Sequence, residues 1–172
     1  MGQRTTHSKL LFNNGILPEN YFPPIIIGYN IKTPENMGNI IRLADNVGCQ
    51  EVFFITDNKN QRESKIKKTA SSSFNSVKWS FCDIMELQSE IPKDYIWIGV
   101  ETSSDSKNIF SSDLPQKVAV VVGNEINGID SKILDMCEKI VHIPLVGNNT
   151  SMNVSHALAV AIFEWQRRQL KG

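Results

Sequence analysis

Six short apolar runs, at residues 25–29, 51–56, 77–81, 95–100, 117–122 and 140–143, constrain this chain more than any other feature. They are rich in Ile, Val, Phe, Tyr and Trp, the residue types that suit a packed, pleated surface. Each run therefore reads as a buried strand. Helical stretches of about 10 residues alternate with them. That alternation specifies an α/β fold, a mostly parallel sheet with helices on both faces. In the first helix, expected over 37–47, Met37, Ile40, Ile41, Ala44 and Val47 form one buried stripe. Asn39, Arg42 and Asn46 fall on the other side, so Arg42 points to solvent or to a site.

Two further helices have visible starts. Asp83 caps one over 83–89, and Asp130 caps one that runs to 138. The last helix begins near 153–155 and ends near 170. Ala157, Leu158, Val160, Ala161, Ile162, Phe163 and Trp165 leave it little polar face. A helix apolar on nearly every side needs cover on nearly every side. We therefore expect a two-fold homodimer in which this helix takes part.

Length and charge bound the rest. A chain of 172 residues can bury a core without staples. Residues 1–24 read as a polar arm with Arg4 and Lys9, one that holds RNA or a partner subunit or is only loosely held; Pro23 and Pro24 mark the entry into a domain spanning 25–172. Formal net charge is zero, so no bulk basic excess points to nucleic acid. Local clusters must supply phosphate contacts. Lys59, Arg62, Lys65, Lys67 and Lys68 stand against one acid, Glu63, and read as a solvated helix face or a phosphate patch. Arg167, Arg168 and Lys171 form a second basic group. Cys49, Cys82 and Cys137 are far apart and read as buried, reduced thiols. No cysteine or histidine pairs stand at metal-ligand spacing, so no metal is expected. No apolar run approaches membrane-spanning length and the N-terminus lacks a signal-like apolar core, so no membrane partner is expected and the cytoplasm is the default.

Several chemistries lack their motifs. G-x-G-x-x-G, G-x-x-x-x-G-K-[ST] and G-x-S-x-G are all absent, which leaves dinucleotide binding, phosphate-loop chemistry and hydrolase elbows unsupported. Ser151 with His142 or His156 makes a conceivable nucleophile and base, but nothing in the sequence fixes their geometry. Strong polar loops remain. GNEINGID follows the run at 117–122, and IPLVGNNTSMNVS starts at the end of the run at 140–143. Gly-containing loops at strand ends are where α/β proteins hold ligands.

Three stretches in order carry a resemblance. NMGNIIRLADNVG supplies Asn36, Gly38, Arg42, Ala44 and Gly48; GNEINGID supplies Gly123, Asn124, Glu125 and Gly128; IPLVGNNTSMNVS runs from Ile143 to Ser155. Together they resemble the three signature motifs of the SpoU/TrmH family of RNA ribose 2′-O-methyltransferases, in the SPOUT superfamily. Met152 stands where the family often has Leu, a volume-conserving change.

The resemblance implies a SPOUT fold whose C-terminal part threads a deep trefoil knot. It implies S-adenosylmethionine as cofactor, held by Val100, Glu101, Thr102, Gly123, Ile143, Leu145, Gly147 and Met152. Gly123 and Gly147 would let backbone approach the ligand, and Ile143, Leu145 and Met152 would wall the adenine. It assigns catalysis to Arg42, supported by Asn36, Glu125, Ser151 and Asn153. Arginine stays protonated at ordinary pH. Stabilising the developing alkoxide, or gripping the adjacent phosphate, therefore suits Arg42 better than base catalysis. Glu125 would hold Arg42 or a base edge, and Ser151 and Asn153 would orient the ribose. Arg42 is expected to serve its own site or the partner subunit's. The implied substrate is a structured RNA, with transfer RNA favoured over ribosomal RNA because small stand-alone members act there. The alternative is an RNA-binding or assembly protein that kept this fold and lost catalysis.

Overall fold

The computed structural model describes residues 20–56 and 63–170. The elements in order are β1 (Ile25–Tyr29), α1 (Pro34–Asn46), β2 (Glu51–Ile55), α2 (Glu63–Ala70), α3 (Ser73–Ser76), β3 (Trp79–Cys82), α4 (Ile84–Glu90), β4 (Ile96–Val100), β5 (Lys107–Asn108), β6 (Val118–Val122), α5 (Ser131–Leu134), β7 (Lys139–His142) and α6 (Val154–Gln169). The strands form a seven-stranded sheet in the order β3-β2-β1-β6-β4-β7-β5, with every pairing parallel. The expected α/β class with a parallel sheet is what the chain adopts.

Alternation along the strands divides the core between the two faces. Ile26, Val52, Phe54, Val118, Val120 and Val122 pack with α1, α2 and α6. Ile25, Ile27, Phe53, Ile55, Ala119 and Val121 pack on the opposite face with Leu87 of α4 and Ile133 of α5. Full burial on both sides is why these strands read as nearly unbroken apolar runs. Trp165 fills the first core, and its Nε1 donates to Pro115 O at 2.8 Å.

Local chemistry sets the element ends. Pro34 sits in the first turn of α1, where its missing N–H costs nothing, so the helix starts earlier than the apolar stripe indicated. Gly38 lets α2 cross α1 closely. A Cβ there would lie 2.6 Å from Thr69 Cβ and 2.7 Å from Ile66 O. Asp83 and Glu86 make the reciprocal capping box of α4. Asp130 caps α5 as expected, but α5 ends at Leu134 rather than at 138. Tight turns follow it, and Glu138 N is already bonded to Trp97 O at 3.0 Å, which draws the chain into the sheet beside β4.

Three other expectations shift. The third strand covers Trp79–Cys82, because Val77 ends α3. The two-residue β5 is too short to carry a pattern that a sequence can show. Helix α6 buries one stripe, Val154, Ser155, Leu158, Ala161, Ile162 and Trp165, and leaves Phe163 43% exposed. Cover on nearly every side is thus not met within one chain. The three cysteines are free thiols, and burial pushes Cys49 and Cys137 up to about 12. Among the described residues, no helix is long and apolar enough to cross a membrane, and no group of three or more His, Cys, Asp or Glu is placed to hold a metal. Most of the expected arm, residues 1–19, lies outside the described residues.

Candidate active site

Strands β1, β6, β4 and β7 are consecutive neighbours in the sheet and run parallel, so the loops at their carboxyl ends emerge side by side. Three of these loops enclose a cleft of about 420 Å³. The loop after β4 contributes Glu101 and Thr102. The turn after β6 contributes Gly123 to Ile126, and Gly128. The segment after β7 contributes Ile143, Leu145, Ser151, Met152 and Asn153, and Val100 and His142 line it from the strand ends.

A chain of hydrogen bonds locks these loops together. Glu125 Oε1 accepts from Thr33 N at 3.0 Å and Asn36 Nδ2 at 2.8 Å, and Oε2 accepts from Lys32 N at 3.0 Å. Asn153 Nδ2 donates onward to Asn36 Oδ1 at 3.2 Å. Asn153 Oδ1 caps α6, accepting from Ser155 N at 2.9 Å and Ser155 Oγ at 2.7 Å. Burial of Glu125 pushes its carboxyl up, but the donors at Asn36, Lys32 and Thr33 outweigh that and hold it below the usual value. Glu125 is thus an ionised tie between the entry to α1 and the β6 turn.

The β6 turn is built by Asn124, which is buried. Its Nδ2 donates to Asn30 O at 2.8 Å, and its Oδ1 accepts from Ile126 N and Asn127 N, both at 2.9 Å. Glu101 ties the neighbouring loop to this turn: Oε1 accepts from Thr102 N at 2.9 Å and Oε2 from Ile129 N at 2.8 Å. Gly128 has φ +69°, and a Cβ on it would lie 2.3 Å from Glu101 Oε2. Only glycine suits that position.

The structure brings Val100, Glu101, Thr102, Gly123, Glu125, Ile143, Leu145, Ser151, Met152 and Asn153 to one cleft, and joins Asn36 to it through Glu125 and Asn153. Gly147 does not line the cleft, and a Cβ there would meet nothing within 4 Å. Gly123 lines the cleft and also closes the turn on itself, since a Cβ would lie 2.4 Å from Gly128 C. Within one chain the Glu125 oxygens accept from Lys32, Thr33 and Asn36 rather than from Arg42. Arg42 follows Asn36 by six residues, roughly 9 Å along the helix at about 1.5 Å per residue and about 120° around it at about 100° per residue. It is exposed and outside the cleft of its own chain.

The basic residues divide in the same way. Lys65, Lys67 and Lys68 lie on α2, with Lys65 3.4 Å from Glu35 and Lys67 over the Phe74 ring. Lys59, Arg62 and Lys171 lie outside the described residues. Arg167 pairs with Glu164 at 2.7 Å. Arg168 is not a free cation: it pairs with Glu164 and donates to Ile109 O, Phe110 O and Ser112 O. Its guanidinium fastens the segment after β5 to α6. Sequence reasoning missed Asn124 as the turn builder, and the Ser106–His142 contact at 2.9 Å. An Asn followed four residues later by a Gly was the available signal for the first. The second joins residues 36 apart and left none.

Comparison with known proteins gives a consistent picture. The chain is similar to the 23S rRNA (guanosine-2′-O-)-methyltransferase RlmB of Blochmanniella floridana, 28% identical over 151 residues, covering 87% of this chain and 59% of that protein. It thus spans about three-fifths of the length of such curated relatives. Its fold matches the SpoU methyltransferase AviRb of Streptomyces viridochromogenes, with TM-score 0.80 at 21% identity over 91% of this chain and 62% of that one. AviRb is also known in complex with AdoMet. The fold likewise matches the A. aeolicus TrmH/SpoU tRNA modifying enzyme, with TM-score 0.77 at 24% identity, covering 86% and 76% of the two chains. The SpoU rRNA Methylase family profile matches residues 23–163, the whole sheet and the first part of α6, and the chain belongs to that family.

Proposed function

We propose that this protein transfers a methyl group from S-adenosylmethionine to a ribose 2′-hydroxyl of structured RNA. The observation that carries this reading is the cleft at the carboxyl ends of β6, β4 and β7, walled by Ile143, Leu145 and Met152 and tied to α1 through Glu125. Its volume lies in the range of small-molecule sites. Leu145 and Met152 are 38% and 37% exposed beside it, apolar surface that a flat heteroaromatic ring would cover. When bound, the cofactor supplies an electrophilic methyl group.

The chain's residues do the rest. Val100, Thr102, Ile143, Leu145 and Met152 hold the cofactor. The Glu101, Glu125 and Asn153 ties keep its loops in register before it arrives, so little ordering cost remains at binding. Ser151, exposed at the cleft, orients the ribose. Arg42 faces the developing alkoxide or the adjacent phosphate, a task for a planar fork of donors. Because Arg42 lies outside the cleft of its own chain, it serves the site of a partner subunit in a homodimer. The exposed Phe163 on α6 supports that assembly. Light scattering giving a monomer mass at micromolar concentration would remove it. The C-terminal segment threads a deep trefoil knot; stretching the chain from its termini would then give a contour length short of the fully extended chain.

Ribosomal RNA is the favoured target, reversing the sequence-based expectation of transfer RNA. The RlmB relatives, named for 23S rRNA, support this, and the A. aeolicus neighbour named for tRNA is the counterweight. Mass spectrometry of cellular RNA tests the proposal: one ribose methylation disappears, from ribosomal RNA, when the protein is removed. An unchanged inventory of 2′-O-methylated nucleosides would favour the inactive RNA-binding alternative.

A further inference from the structure

Ile126 sits at the tip of the turn after β6 and lines the cleft. Asn124 and Gly128 close that turn: Asn124 N donates to Gly128 O at 3.0 Å, and Gly128 N donates to Asn124 O at 2.9 Å. The tip itself is held, because Ile126 N donates to Asn124 Oδ1 at 2.9 Å and Glu125 is tied to the entry of α1. Yet the Ile126 side chain is 88% exposed, against 38% for Leu145 and 37% for Met152 on the cleft wall. That difference puts Ile126 at the lip of the cleft rather than in its wall. Turn tips ordinarily carry Gly, Asn, Asp, Pro or Ser. A bare, β-branched apolar side chain on a fixed tip breaks that local rule, and such breaks gather at functional sites.

Charge decides what crosses that lip. Among the described residues, Glu101 and Glu125 line the cleft and no lysine or arginine does. Phosphate is repelled from such a lining. The exposed cations Lys32, Arg42, Lys67 and Lys68 all lie outside it. An RNA strand therefore meets the cleft with its phosphates outward and a nucleoside inward. We propose that Ile126 packs against the face of the base on the nucleotide whose ribose enters the cleft. This rests on the RNA reading above. An aliphatic side chain has no donor or acceptor, so it covers a base face and cannot read a base edge. It selects an unstacked nucleotide, from a loop or a bulge, and not one particular base. The contact fixes where the 2′-hydroxyl stands relative to the methyl donor.

Steady-state methyl transfer to RNA from cells lacking the protein tests this on the full chain, together with calorimetry using S-adenosylhomocysteine. Ile126→Ala keeps the backbone bond to Asn124 and removes only exposed surface from the free protein. Its apparent kcat/KM for RNA is expected to fall about 10-fold, the effect of leaving one aliphatic face in water. Its affinity for S-adenosylhomocysteine and its slope of log RNA affinity against log salt are expected to stay at the wild-type values, because no cofactor or phosphate contact is lost. Ile126→Leu restores most of the rate, and Ile126→Asp is slower than Ile126→Ala. An unchanged kcat/KM in Ile126→Ala, or an Ile126→Leu as slow as Ile126→Ala, overturns the proposal. Weaker binding of S-adenosylhomocysteine by Ile126→Ala overturns it by placing the side chain over the cofactor. A shallower salt slope does so by making the contact a phosphate one, and a smaller mass in light scattering by placing Ile126 against a second copy. Each of these leaves the methyl-transfer reading intact, whereas no transfer by the wild type overturns both.

Discussion

Asn36 Nδ2 donates to Glu125 Oε1 at 2.8 Å, joining residues 89 positions apart in the chain. Glu125→Gln keeps the shape but places an amide N–H where Lys32, Thr33 and Asn36 present only donors. A part-buried donor left without a partner costs about 1–3 kcal/mol. Chemical denaturation should show a loss of that size, together with weaker cofactor binding as the β6 turn loosens.

Glycines separate turn closure from free loop. Gly128→Ala faces both a positive φ and a Cβ 2.3 Å from the Glu101 carboxylate. Its strain is on the order of 1–3 kcal/mol, and its cofactor affinity should fall because Glu101 must move. Gly147→Ala meets open space. It should be neutral or stabilising by up to about 1 kcal/mol, because it restricts the unfolded chain. Thermal melts and cofactor titrations of the two variants check this contrast.

These glycines show where sequence reading stops. Ile25–Tyr29 and Val118–Val122 are legible because a strand buried on both faces must be apolar throughout. Asp83 is legible because a cap acts within its own turn. The reason for Gly123 depends on Gly128 folding back over it, and the role of Arg168 depends on carbonyls 56 to 59 residues away. Motif order located the cleft. It did not reveal that Glu125 accepts from two backbone N–H groups and the Asn36 amide, because a motif records which residues recur and not what they touch.

Arg168 should behave as a fastener. Arg168→Ala leaves the carbonyls of Ile109, Phe110 and Ser112 without their shared donor and should destabilise the fold by about 1–3 kcal/mol. Its effect on RNA affinity should be small once folding is restored by lower temperature. Lys67→Ala and Lys68→Ala, exposed on α2, should instead lower the slope of log affinity against log salt by about 0.7–0.9 for each RNA phosphate that is no longer neutralised.

Glu164 sets a dependence on acid. Hydrogen bonding from Arg167, then Arg168, outweighs desolvation and lowers its carboxyl from 4.5 to about 2. A depressed folded value stabilises the protein at pH above the unfolded value, and that increment is lost as pH falls from about 4.5 toward about 2. Glu164→Gln should therefore be less stable than wild type at neutral pH, with the difference closing below about pH 2 to 3, as urea melts across that range would record.

Methyl transfer itself is the decisive reaction to follow. Purified protein, S-adenosylmethionine labelled in the methyl group, and ribosomal RNA are combined, and the nucleosides are separated. Label on a ribose 2′-oxygen is expected with the wild type. With Arg42→Lys, turnover should fall by up to about 10²–10³-fold at unchanged cofactor affinity. Label on a base, no label, or near-normal turnover by Arg42→Lys would overturn the proposed reaction.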